Sequence, residues 1–110
     1  MELKDKALKD FWIWYLLPEQ RKTYKTDSLI GKDPAIKIRF LAMSFTERYG
    51  VYVDFFDSVG VTVWVAPNGD WLYHIEDHNT EKDYSERFYL RPEARAAAIE
   101  KANEIHNSKG

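Results

Sequence analysis

The chain has 110 residues, of which 45% are hydrophobic and 15% aromatic, with no cysteine and a formal net charge of −2. That composition excludes a disordered chain, and the missing thiols exclude disulfides, a cysteine nucleophile and cysteine-ligated zinc or iron–sulfur centres. The length suits a single domain over residues 1–110, and the longest apolar run, Phe11 to Leu17, falls well short of the ~20 residues that span a bilayer, so a cytoplasmic protein is expected.

In chain order, the first helix is predicted from Glu2 to Leu17, stopped by Pro18, with Leu3, Ala7, Leu8, Phe11, Trp14 and Tyr15 on one face. Its last turns are apolar all round, which suits burial on two sides or the docking of a partner. Residues 18–33 read as a basic connecting loop carrying Arg21, Lys22, Lys25 and Lys32. Asp33-Pro34 signals a second helix, with Asp as N-cap and Pro at the first helical position, and Gly50 reads as its stop. From Val51 the hydrophobic period changes to two. Val51–Phe56, Val61–Ala66 and Trp71–Glu76 are predicted strands, the last two joined by Asn68-Gly69, a strong hairpin signal. Asp77 to Asp83 is a polar loop, and Tyr84–Leu90 is expected to add an edge strand. Arg91-Pro92 opens a final helix through Asn107, with Ala94, Ala98, Ala102 and Ile105 on one face. The order α-α-β-β-β-(β)-α gives a two-layer α+β domain, an antiparallel sheet packed with helices.

If Asn68-Gly69 is a two-residue turn, Trp64 pairs with Tyr73, and one sheet face gathers Trp64, Trp71, Tyr73 and Ile75. Residues 51–90 hold two basic against eight acidic side chains, whereas residues 1–50 hold ten against seven. An aromatic surface rimmed by Asp54, Asp70 and Glu76 fits a protein partner with a basic surface, and a homodimer is a further possibility. Nucleic acid is the disfavoured alternative. It would use the basic 21–39 segment, chiefly Arg21, Lys22 and Lys25, because phosphates would meet the acidic sheet residues elsewhere. His74, Glu76 and His78 share one side of a strand and are competent metal ligands, but the spacing is common on solvated strands. No metal or other cofactor is expected, and no nucleophile elbow or phosphate loop marks an enzyme.

Two resemblances bear on these expectations. The α-β-β-β-α layout of residues 33–107 is similar to double-stranded-RNA-binding domains, whose lysine cluster at the start of the last helix is represented here only by Arg91 and Arg95. The run Phe88-Tyr89-Leu90-Arg91-Pro92-Glu93-Ala94 and the Ala/Ile helix after it resemble small phage and prophage proteins of unknown function. Proteins of that kind include inhibitors of host defence enzymes, so the resemblance implies action by binding rather than catalysis.

Overall fold

A computed structural model describes residues 2–26 and 33–109. Among the described residues there are five helices, α1 (Asp5–Tyr15), α2 (Pro18–Thr23), α3 (Asp33–Leu41), α4 (Phe45–Ser58) and α5 (Arg91–Asn107), and three strands, β1 (Val61–Asn68), β2 (Asp70–Asp77) and β3 (Lys82–Phe88). The strands form one antiparallel sheet in the order β1-β2-β3. The class is α+β, with helices first, a three-stranded antiparallel sheet packed against helices, and a C-terminal helix.

Several element boundaries differ from expectation. Pro18 both ends α1 and opens α2, because a proline is as well placed at a first helical position as it is unsuited to an interior one. The basic stretch is therefore partly helical. Residues 27–32 of the expected loop, including Ser28, Gly31 and Lys32, lie outside the described residues. Helix α2 closes with Lys25 in the left-handed region at φ 57°, Lys25 N–H donating to the Lys22 carbonyl and Thr26 N–H to the Arg21 carbonyl. This paired closure is the one that glycine usually makes.

The expected second helix is two helices, and the expected strand Val51–Phe56 belongs to the second of them. Ser44 begins α4 with a capping box: its hydroxyl accepts from Glu47 N–H, while the Glu47 carboxylate accepts from Ser44 N–H. Val51, Tyr52, Phe55 and Phe56 are buried, a helical i, i+1, i+4, i+5 spacing rather than a strand's alternation. Gly50 lies inside this helix instead of ending it.

The core centres on Phe11, whose ring lies within 5.0–5.5 Å of those of Trp12, Tyr15, Phe40, Tyr52 and Phe55. Helices α4 and α5 cover one side of the sheet. On α5, Ala94, Ala98 and Ala102 are fully buried, and such small side chains let the helix lie close to the strands. Helix α5 also holds the start of α1. Asn107 accepts from Ala7 N–H at 2.7 Å, and Asn103 from Lys4 N–H at 2.8 Å, which satisfies donors that Lys4 at the N-cap position does not.

Candidate binding face of the sheet

The hairpin register decides what each sheet face carries. Asn68 pairs with Asp70 across Gly69, which sits at φ 80°, and Trp64 consequently pairs with His74 rather than Tyr73. An odd number of residues in the turn shifts the register by one, and a one-residue shift moves a whole strand's side chains to the opposite face. The helix-covered face therefore carries Val61, Val63 and Val65 together with Trp71, Tyr73 and Ile75. The other face carries Thr62, Trp64 and Ala66, then Leu72, His74 and Glu76, then Asp83, Ser85 and Arg87 from β3. Strand β3 begins two residues earlier than Tyr84, at Lys82, because Asp77 pairs with Lys82 across a tight turn with Glu81 at φ 59°.

The six residues expected to meet a partner are thus dispersed. Tyr73 is buried, its hydroxyl donating to Glu86 at 3.3 Å; burial and the neighbouring Glu86 carboxylate push it up to about 12. Trp71 is half-buried under the Arg91 guanidinium, 5.0 Å from its ring centre. Asp54 is on α4, where it accepts from the Tyr24 hydroxyl at 2.7 Å, far from the strand position expected of it. Asp70 is exposed at the hairpin end. Of the six, Trp64, Asp70 and Glu76 share the uncovered face, with Asp70 at its hairpin end.

That face has a defined centre. Trp64, 40% exposed, lies against His74 with ring centres 4.5 Å apart and planes tilted by 32°. Beyond His74, the two oxygens of Glu76 lie 3.6 Å from His74 Nε2 and 3.7 Å from His78 Nε2. Thr62 Oγ1 is 2.8 Å from His78 Nε2. Asp83 pairs directly with Glu76 across the strands, and Arg87 at the hairpin end donates to the Asn68 carbonyl at 2.7 Å. Asp83 was hidden in the sequence because it reads as loop; the Asp77-His78-Asn79-Thr80 turn signal was the available clue to an earlier strand start.

The basic residues fare differently. Arg21 is half-buried and its Nε donates to the Leu16 carbonyl at 3.0 Å, closing the end of α1, while Lys22 and Lys25 are exposed. Lys37 sits over the Trp12 ring at 5.4 Å. At the start of α5, Arg91 and Arg95 lie over the rings of Trp71 and Tyr49 at 5.0 and 5.1 Å. A surface depression of about 490 Å³ is lined by Glu2, Lys4, Ala96, Glu100, Asn103 and Glu104. No helix among the described residues is long and apolar enough to cross a membrane. No family model, curated protein or solved structure matches this chain.

Proposed function

We propose that this chain is a non-enzymatic protein-binding module whose partner presents a basic segment to the uncovered sheet face. One observation carries the reading: among the described residues the helices pack on one side of the sheet, and the other side offers an exposed Trp64 lying against His74 with Glu76 and Asp83 beside it. An exposed tryptophan next to carboxylates that have no lysine or arginine partner among the described residues matches the make-up of interface anchors, and the carboxylates select for positive charge. Inhibition of a host enzyme by occupation, the class implied by the C-terminal resemblance, would use such a surface. The outer edge of β1 extends it, since Val61–Ala66 make no backbone hydrogen bonds to described residues on that side.

The test is affinity capture from the native host with the intact chain, followed by measured binding of the captured protein to variants. Trp64→Ala should leave the circular dichroism spectrum unchanged and weaken binding by about 2 kcal/mol or more, roughly thirtyfold. Trp71→Ala and Tyr73→Ala should instead lower stability, as expected of residues on the covered face. If Trp64→Ala binds as wild type, the reading fails and the apolar end of α1, where Ile13 is 59% and Leu17 42% exposed, becomes the next surface to examine.

A further inference from the structure

We infer that His74, Glu76 and Asp83 form a binding site for a divalent transition-metal ion on the uncovered sheet face. One potential ligand atom from each residue lies within 4.8 Å of the others. The arrangement follows from the sheet itself. Alternation along β2 puts His74 and Glu76 on the same side, and the β2–β3 register sets Asp83 directly opposite Glu76. An imidazole with two carboxylates is a donor set suited to zinc and its late first-row neighbours. Around a tetrahedral ion with bonds of roughly 2.0–2.1 Å, ligand atoms stand about 3.4 Å apart. His74 Nε2 and Glu76 Oε1 are already 3.6 Å apart, close to that spacing.

A second observation, independent of the spacing, is electrostatic. Like charges placed directly opposite one another destabilise a sheet. Glu76 and Asp83 are such a pair, and among the described residues neither has a lysine or arginine within ion-pair distance. A dication held between them turns that repulsion into attraction. His74 is further restrained by its stack on Trp64, which reduces the freedom lost on ligation. His78 stands on the other side of Glu76, with its Nε2 beside Thr62 Oγ1, and is outside the three-residue group. The inference rests on the sheet geometry and not on the protein-binding reading. Because the core lies on the opposite face, the ion is not required for folding.

The experiment uses the intact, chelator-stripped chain titrated with Zn²⁺ by calorimetry, and with Co²⁺ and Cu²⁺ followed by visible absorption and tryptophan fluorescence. Expected are one saturable equivalent of Zn²⁺, Co²⁺ bands of a low-coordinate site, and quenching by Cu²⁺ that is lost in Trp64→Phe. His74→Ala and Asp83→Asn should each weaken Zn²⁺ binding at least about tenfold, while His78→Ala changes it less than about threefold. Asp83 is exposed, so its variant reports on the site even if His74→Ala disturbs the strand. Absence of saturable binding overturns the inference. So does binding that both variants retain, or that His78→Ala weakens as much as His74→Ala does.

Discussion

Asp77 illustrates how much a single buried group can organise. It is 2% exposed, yet it accepts from Lys109 Nζ at 2.8 Å, Thr80 Oγ1 at 2.9 Å and Asn79 N–H at 3.1 Å. Burial pushes its carboxyl up, but the bonds from Lys109, Thr80 and the Asn79 amide outweigh it and hold the group below its ordinary 3.8. The side chain thereby fixes the β2–β3 turn and ties it to the end of α5. Removing one partner of a buried, hydrogen-bonded charge is costly, so Asp77→Ala should lose about 2–3 kcal/mol in denaturant unfolding. The pH dependence has a definite sign. A carboxyl with a folded pKa below its unfolded value stabilises fully above the unfolded value and loses that contribution as pH falls through the folded one. Asp10 belongs to the same class: hydrogen bonds from Lys6 at 2.6 Å and His106 at 2.7 Å lower it. The stability difference between wild type and Asp77→Asn, measured from pH 5 downwards, should therefore shrink as the solution passes below about pH 4. A difference that stays constant across that range would show that the charge of Asp77 is not what holds the turn.

Among the elements, α4 is the one that sequence periodicity misassigns. Val51–Phe56 is a short run of β-branched and aromatic residues, and such runs do not distinguish a strand from a buried helix segment. Gly50 strengthened the wrong reading by resembling a helix stop. The countersignal was present: Ser44-Phe45-Thr46-Glu47 spells a capping box, and the box is formed. Gly50 is exposed in the helix interior, and a Cβ built there meets nothing within 4 Å. Gly50→Ala is accordingly predicted to stabilise the chain by about 0.5–1 kcal/mol, read as a higher unfolding midpoint with an unchanged denaturant slope. Destabilisation by that substitution would mean that the glycine serves a contact absent from this structure. The last helix, the hairpin and the α+β class follow from strong local signals, Arg91-Pro92 and Asn68-Gly69. The face assignment depended on the parity of one turn, and composition does not encode that parity. Trp64 survives as a surface residue while Tyr73, its expected neighbour, belongs to the core. Asp54 lies away from the sheet aromatics because its segment is helical, not the strand that its run of β-branched and aromatic residues suggests.

At the scale of the whole molecule, charge is unevenly distributed along the chain. Residues 51–90 carry eight acidic and two basic side chains, of which Asp54 and Asp57 are on α4 and the rest on the strands and their turns, and the first fifty residues carry a basic excess. That imbalance bears on which macromolecule each part of the surface would attract. A polyanion is repelled by Glu76 and Asp83, and stacking of its bases on Trp64 would bring phosphates towards those carboxylates. On the helical side, Arg21 and Lys37 are engaged within the chain, which leaves Lys22 and Lys25 as the exposed cations of the expected trio. Two such contacts give only a shallow salt dependence, since each neutralised phosphate contributes a slope of about 0.9 in log affinity against log salt for duplex DNA. Binding to DNA and RNA, titrated by fluorescence anisotropy across a salt series, is therefore expected to be weak at physiological ionic strength and to vanish in Arg21→Glu/Lys22→Glu/Lys25→Glu. It should be indifferent to Trp64→Ala, since the tryptophan lies on the sheet face with Glu76 and Asp83. Tight binding at physiological salt that depends on Trp64 would make the uncovered face a base-stacking surface and overturn the assignment of a protein partner. Tight binding that depends on the helical cations and not on Trp64 would move the function to the other layer, leaving the exposed tryptophan without a role.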